Sequence, residues 1–133
     1  MRRVLFLCSG NSCRSQMAEA VVNARYPEWQ AFSAGVQPAG FVHPMALKAL
    51  AEIGIQHRGE SKSIDQFRDE YLDLVITVCD EANEQCPVWL GKGKRAHQSF
   101  RDPAKAQGTD EERMKVFRQV RDEILEKMPA MLK

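Results

Sequence analysis

The sequence predicts an α/β fold in which a parallel sheet carries helices on both faces. Residues 4–8 form a continuous apolar run, and residues 72–79 (LDLVITVC) are largely apolar; both patterns are typical of strands buried on both sides. Segments with helical spacing of apolar residues, bounded by capping patterns and prolines, lie between and after them. Strands that alternate with helices in this way favour parallel pairing through right-handed crossovers. In such a sheet, ligands bind beyond the carboxyl ends of the strands.

Four strands are predicted along the chain. They cover residues 4–8, 29–33, 72–79 and 96–100. The first ends at Cys8 and the third ends at Cys79. Because the carboxyl ends of parallel strands share one edge of the sheet, these two cysteines are predicted to lie at the same edge.

Four helical segments are also predicted. They cover residues 14–25, 44–53 and 63–71, and a long stretch that follows Thr109. The second has a proline near its first position and a glycine past its end, a common asymmetry of helices. Ser63 with Gln66, and Thr109 with Glu112, form capping-box patterns. The last helix presents one apolar stripe: Met114, Phe117, Val120, Ile124 and Met128.

Composition restricts the location and the partners of the protein. A chain of 133 residues is long enough for one domain with a real core, and we expect residues 1–133 to form it. The net charge of +1 favours neither nucleic acid nor an anionic membrane. No stretch approaches the ~18 apolar residues of a membrane span. We therefore expect a soluble, cytoplasmic protein, whose four cysteines point to reactivity or metal binding before structural disulfides.

The stretch CSGNSCRS, residues 8–15, runs from the first strand into the first helix and is predicted to bind an anion. Backbone N–H groups in such a loop turn inward, and the helix N-terminus adds a positive dipole end. The loop residues expected to surround an oxyanion are Cys8, Ser9, Gly10, Asn11, Ser12, Cys13 and Arg14. Gly10 and Asn11 suit the tight backbone, and the fork of Arg14 suits two oxyanion oxygens. Cys8 is then a thiolate nucleophile, and Ser15 is placed to bond its sulfur.

Two other interpretations of this loop are less favoured. Cys8 and Arg14 at this spacing arise often by chance, so the spacing alone leaves open a tight turn with a buried cysteine. A metal site is disfavoured because no Cys-x2-Cys or closely spaced histidine pair accompanies Cys8 and Cys13. The three histidines are scattered and are predicted to be surface or capping residues: His43, His57 and His97.

Asp102, in the segment FRDPAK, is predicted to act as an acid at the same site. Pro103 restricts Asp102 to extended conformations and stiffens the loop. A carboxylic acid there can protonate an oxygen that leaves the central atom of a bound oxyanion. The alternative is that the Asp-Pro pair only begins a turn.

Cys79 and Cys86 bracket the polar segment DEANEQ and suggest a redox switch. Seven residues of helix separate them by about 10.5 Å along the axis. A disulfide needs Cα atoms within roughly 7 Å, so the segment is predicted to be helical when reduced and looped when oxidised. The alternative is that Cys79 is a buried residue at a strand end and Cys86 is incidental. Together with Cys8 they allow a relay in which Cys79 attacks Cys8 and Cys86 then attacks Cys79. Cys13 has no required step and is interpreted as a packing residue or a spare thiol.

The chain contains, in order, CSGNSCRSQMAEA, FSAG, LVITVCDEANEQCP and FRDPA. Together these segments resemble the thioredoxin-coupled arsenate reductases built on the low-molecular-weight tyrosine phosphatase fold. The resemblance implies a three-layer sandwich with a four-stranded parallel sheet and no bound cofactor. It also implies that Cys8 attacks arsenate held by Arg14, that Asp102 assists loss of water, and that Cys79 and Cys86 pass the oxidation to thioredoxin. Phosphate and sulfate would compete for the loop, and a glutaredoxin donor stays open.

Some members of that family bind potassium beside the loop through an Asn, a Glu, a Ser and an Asp. Asn11, Glu19 and Ser33 match the first three, whereas Lys62 stands at the position of the Asp. The resemblance therefore implies that the Lys62 ammonium replaces the cation and pairs with Glu19. We expect little activation by potassium, and the alternative is that Lys62 is a solvated surface residue.

The main rival is a low-molecular-weight tyrosine phosphatase, a hydrolase that would use the same Cys8, Arg14 and Asp102. Gln16 stands where those phosphatases usually have proline, and Ala104 stands where they tend to have an aromatic residue. A phosphatase also has no use for two further cysteines at a switchable spacing. A non-catalytic anion-binding or redox-sensor protein is a third class. We expect the reductase, and a weak phosphatase side activity is compatible with it.

Overall fold

The computed structural model describes residues 1–80, 84 and 86–133. Its four strands are β1 (Arg2–Cys8), β2 (Trp29–Gly35), β3 (Leu74–Thr77) and β4 (Lys94–His97). They form one sheet in the order β2-β1-β3-β4, and every neighbouring pair is parallel. The predicted α/β class with a four-stranded parallel sheet is confirmed.

Three α-helices pack on one face of this sheet: α1 (Arg14–Arg25), α2 (Pro44–Ala51) and α3 (Asp110–Met131). α1 contacts β1 and β2, and α3 contacts both α1 and α2. Phe6 of β1 is fully buried against this layer. A side chain of this size contributes roughly 1.5–3 kcal/mol when it is buried. No helix in the described part of the chain is both long enough and apolar enough to cross a membrane.

The opposite face of the sheet has a thinner cover. Leu7 of β1 points to this side, because successive residues of a strand face opposite ways. There it joins a second core cluster with Phe67, from a 3₁₀ helix at Ile64–Phe67, and with Trp89. Helical elements therefore cover both faces, and among the described residues the cover on this side includes a short 3₁₀ helix and the loop residue Trp89.

The predictions for the first and last helices are confirmed, and two other elements differ. Thr109 and Glu112 form the expected capping box. The helix predicted at 63–71 is only the short 3₁₀ helix. The capping box predicted at its start was wrong, because the Ser63 hydroxyl accepts from the Asp65 N–H instead.

The fourth strand also differs from the prediction of residues 96–100. β4 lies two to three residues earlier, at the exposed edge of the sheet, where all four of its residues are exposed. An exposed edge strand needs no apolar run, so hydrophobic patterning does not mark its position. Other boundaries moved in both directions. β3 covers less than the predicted 72–79 and α2 ends two residues before 53, whereas β1 begins two residues before 4 and β2 ends two residues after 33.

Candidate active site

The fold gathers the predicted functional residues at the carboxyl edge of the sheet. Cys8 is the last residue of β1, and Arg14 is the first residue of α1. Cys79 follows β3 by two residues, after the Val78 N–H donates to the Leu7 carbonyl at 2.8 Å. The predicted placement of Cys8 and Cys79 at one edge is therefore confirmed.

The predicted anion loop, residues 8–14, is tied to Cys8 by Asn11. Asn11 has a φ of +48°, the one positive value of a non-glycine residue in the part of the chain described. Its backbone N–H donates to the Cys8 sulfur at 3.3 Å, and its amide nitrogen donates to the Ser15 hydroxyl at 2.8 Å. Ser15 Oγ lies 2.9 Å from the Cys8 sulfur. Because the Ser15 oxygen already accepts from Asn11, its own hydrogen is available to the sulfur of Cys8.

Gly10 does not have the conformational role expected of it, whereas Gly35 has a role for which no expectation was stated. Gly10 is not in the left-handed region, and a Cβ there would contact only Ala39, at 3.9 Å. Gly35, at the end of β2, lies against the loop backbone. A Cβ on Gly35 would fall 2.6 Å from the Ser9 carbonyl oxygen and 3.0 Å from the Asn11 nitrogen. The close approach of β2 to the loop therefore requires Gly35. The sequence indicated this residue only as part of the FSAG segment.

Gln16 supports the loop from the interior. It is fully buried, and its amide nitrogen donates to the Asn11 carbonyl at 3.2 Å and to the Glu60 carbonyl at 2.8 Å. Its amide oxygen lies 2.8 Å from Nε2 of His57. The expectation that His57 is a surface or capping residue was wrong, because its side chain is 7% exposed and also lies 3.5 Å from Glu19. Burial lowers the pKa of His57, which favours its neutral form.

The four residues expected to support the loop form one connected cluster. Ser33 donates to a Glu19 carboxylate oxygen at 2.9 Å, and the Lys62 ammonium lies 3.9 Å from the same oxygen. The Lys62 backbone N–H donates to Asn11 Oδ1 at 2.8 Å, and its ammonium donates to the Glu60 carbonyl at 2.8 Å. Burial raises the pKa of Glu19, while Lys62 and Ser33 oppose that shift. Among the residues described, no group of three or more His, Cys, Asp or Glu side chains is arranged to hold a metal ion.

Asp102 begins a turn and also lies beside Arg14 of the predicted anion loop. One carboxylate oxygen accepts from the Ala104 N–H at 3.0 Å and so caps a short 3₁₀ helix that begins at Pro103. The other oxygen lies 3.7 Å from the Arg14 guanidinium. Asp102 therefore starts a turn and also faces the anion loop.

A cavity of about 240 Å³ opens at Cys8. Arg14 and Asp102 line it, together with Phe41 and His43, which sequence reasoning did not place at the site. Phe41 is 56% exposed at the rim. The ring of His43 caps α2, as expected of a capping residue.

Arg14, the predicted oxyanion-binding side chain, is held by a carboxylate that the sequence did not single out. Both of its terminal nitrogens pair with Glu84, and one of them also donates to the Phe100 carbonyl at 3.3 Å. Burial works against the charge on Glu84, but the bonds from Arg14 and Ser9 lower the pKa of Glu84 to about 2. The pair is consequently ionised at neutral pH.

Cys79 and Cys86 are joined by a disulfide, with Cα atoms 5.7 Å apart. That distance is shorter than the ~10.5 Å that seven residues of helix would impose. The predicted change of the intervening segment from helix to loop falls largely on residues 81–83 and 85, outside the described residues. Cys8 and Cys13 are free and buried. Burial raises the pKa of Cys13 to about 12, so its thiol is protonated and unreactive.

Comparison with known proteins gives consistent similarities over nearly the whole chain. The sequence pattern of the low molecular weight phosphotyrosine protein phosphatases matches residues 3–133. An arsenate reductase of Halalkalibacterium halodurans is 50% identical over 124 residues, which cover 91% of this chain and 88% of the relative. A solved arsenate reductase of Archaeoglobus fulgidus superimposes with a TM-score of 0.79 at 32% identity, covering 93% of this chain and 94% of its own. An arsenate reductase solved in a phosphate-binding state gives a TM-score of 0.78 at 30% identity, covering 98% and 95%.

Proposed function

Because the chain belongs to the low molecular weight phosphotyrosine protein phosphatase family, we propose that it uses the phosphatase type of anion loop to reduce arsenate to arsenite. The observation that carries this proposal is the Cys79–Cys86 disulfide at the same sheet edge as Cys8. A phosphatase returns its cysteine to the thiolate by hydrolysis and needs no second pair of cysteines. Relatives named arsenate reductase at up to 50% identity support the same activity.

In the first step the anion loop and Arg14 hold arsenate with its central atom facing the Cys8 sulfur. The sulfur attacks arsenic, a sulfur–arsenic bond forms and one arsenic–oxygen bond breaks. Asp102 supplies the proton that lets this oxygen leave as water. The backbone N–H groups and Arg14 stabilise the charge that develops on the remaining oxygens.

In the second step the Cys79 thiolate attacks the Cys8 sulfur. The electron pair of the sulfur–arsenic bond moves to arsenic, which changes from As(V) to As(III) and leaves as arsenite. A Cys8–Cys79 disulfide remains. Cys86 then attacks Cys79, which releases the Cys8 thiolate and leaves the Cys79–Cys86 disulfide. Ser15, 2.9 Å from the Cys8 sulfur, stabilises the thiolate whenever Cys8 leaves.

We propose thioredoxin as the donor that returns the disulfide to two thiols. Cys79 is fully buried and Cys86 is half-buried, so an external thiolate reaches the Cys86 sulfur first. That thiolate forms a mixed disulfide with Cys86, and the second thiol of the donor then resolves it. A glutaredoxin is the alternative donor, and phosphate and sulfate are expected competitors of arsenate. A relay that depends on a reducing dithiol fits the cytoplasm, which we propose as the location.

The test couples arsenate to NADPH consumption through thioredoxin and thioredoxin reductase. We expect wild type to turn over, while Cys8→Ser, Cys79→Ser and Cys86→Ser do not. Cys13→Ala is the matched control, since it also removes a cysteine of this sheet edge. After a single turnover with arsenate, the Cys13→Ala variant should still contain the Cys79–Cys86 disulfide. If arsenate consumes no NADPH while wild type and Cys79→Ser hydrolyse an aryl phosphate equally, the chain is a phosphatase.

A further inference from the structure

The Glu84 carboxylate accepts hydrogen bonds from Arg14 and from two neutral donors at the entrance of the anion loop. Its two oxygens pair with the two terminal nitrogens of Arg14. One oxygen also accepts from the Ser9 hydroxyl at 2.5 Å, and the other accepts from the Asp80 N–H at 2.7 Å. The Arg14 and Glu84 side chains are only 4% and 10% exposed, so water screens the pair little.

The same arginine fork is what the proposed function assigns to the substrate. A guanidinium binds a carboxylate or a tetrahedral oxyanion through the same two parallel N–H bonds. Glu84 takes the edge of Arg14 formed by the two terminal nitrogens, whose other contacts are the Phe100 carbonyl at 3.3 Å and Asp102 at 3.7 Å. Glu84 and an oxyanion therefore compete for Arg14. A second negative charge beside Glu84 would also be repelled.

Resting on the proposed function, we propose that Glu84 is an internal competitor of the oxyanion, holding Arg14 while the Cys79–Cys86 bond is in place. The oxidised protein consequently binds oxyanions weakly, and reduction of the disulfide opens the site. Glu84 thereby sets the order in which electrons and substrate are taken up.

The covalent bond positions Glu84 because it closes the short segment that contains it. Glu84 lies two residues before Cys86, and its backbone N–H donates to the Asp80 carbonyl at 2.9 Å. With Cys79 and Cys86 held at a Cα distance of 5.7 Å, this segment is fixed at both ends beside the loop. A donor dithiol transfers two electrons and two protons to the disulfide, giving two thiols and a disulfide on the donor. The constraint that holds Glu84 on Arg14 is then removed.

The coupling works in both directions by thermodynamic necessity. If the disulfide weakens oxyanion binding by some factor, bound oxyanion favours reduction of the disulfide by the same factor. We expect a factor of at least about five, the lower end of typical couplings between sites. For a two-electron couple this factor raises the reduction potential of the Cys79–Cys86 pair by about 20 mV at saturating anion.

The experiment measures the dissociation constant of inorganic phosphate by calorimetry. The full chain is titrated once with the Cys79–Cys86 disulfide verified by thiol counting, and once after reduction. We expect wild type to bind phosphate at least about fivefold more weakly when oxidised. In Glu84→Gln and Glu84→Ala the ratio of the two constants should fall towards one. Glu126→Gln, which removes the same charge at an exposed site on α3, should keep the wild-type ratio.

Equal phosphate affinity in the two states of wild type would overturn the inference. The inference would also fail if both Glu84 variants kept the wild-type ratio of the oxidised and reduced dissociation constants. Phosphate binding needs no arsenate chemistry, so the result is separable from the proposed function. If the NADPH assay succeeds and the affinity ratio is one, only the role of Glu84 fails. If the ratio is as expected but arsenate consumes no NADPH, only the reductase fails.

Discussion

Replacing Gly35 by alanine tests whether the anion loop is held by the close approach of β2. The new Cβ would lie 2.6 Å from the Ser9 carbonyl oxygen and 3.0 Å from the Asn11 nitrogen. Both atoms belong to the backbone of the loop, so neither can rotate away as a flexible side chain would. Overpacking of this kind costs about 1–3 kcal/mol. With an unfolding entropy of about 2.1 cal/mol/K per residue over 133 residues, the midpoint of thermal unfolding should fall by about 4–11 °C.

The matched control is Gly10→Ala, within the loop itself. Its Cβ meets only Ala39, at 3.9 Å, and Gly10 does not have a positive φ. Alanine there restricts the unfolded chain and should leave stability unchanged or raise it by up to about 1 kcal/mol. Thermal unfolding of both variants, followed by circular dichroism in the same redox state, measures the difference. Equal midpoints for Gly35→Ala and Gly10→Ala would refute the reasoning from close approach.

Three further predictions concern the chemistry of the site. Asp102→Asn should lower the rate of arsenate-dependent Cys8 modification by about 10²–10⁴-fold, because the leaving oxygen loses its proton donor; a rate within twofold of wild type in rapid-quench measurements would contradict this. Wild type should gain little activity when potassium replaces sodium at constant ionic strength, since the Lys62 ammonium lies 3.9 Å from Glu19; a severalfold rise would exclude this role for Lys62. The pKa of Glu84 is lowered to about 2, below its unfolded value, so its contribution to stability is present above that unfolded value and is lost as pH falls through about 2. Acid titration of the oxidised protein should therefore show less loss of stability in Glu84→Gln than in wild type, and superimposable curves would argue against this pairing.

The sequence was informative where the determining interactions are local. The helix beginning at Arg14 and the capping box at Thr109 follow from residues within one turn of each other. The edge strand β4 was misplaced, because its exposed residues carry no apolar pattern. The sequence predicts a longer helix than the 3₁₀ helix at Ile64–Phe67, because a serine with a glutamine three positions later suits the start of either type of helix.

The site residues that the sequence did not reveal contact residues that lie far away along the chain. Glu84 meets an arginine seventy positions earlier, and nothing within its polar segment distinguishes it from neighbouring acidic residues. Gly35 matters because the backbone of the anion loop passes within van der Waals distance, which no local sequence pattern indicates. His57 was assigned to the surface because its buried partner, Gln16, lies forty-one positions away. In each case the missing information was a contact between distant segments.

The position of Glu84 has a consequence for the order of the proposed reaction. If the oxidised protein bound arsenate, Cys8 would attack it while Cys79 was still bonded to Cys86. Neither relay thiol would then be free to complete the reduction, and Cys8 would stay blocked until a donor arrived. With Arg14 paired to Glu84, arsenate binding waits for the disulfide to be reduced. The bond that ends one turnover thus closes the anion loop to the next substrate until both relay thiols are restored.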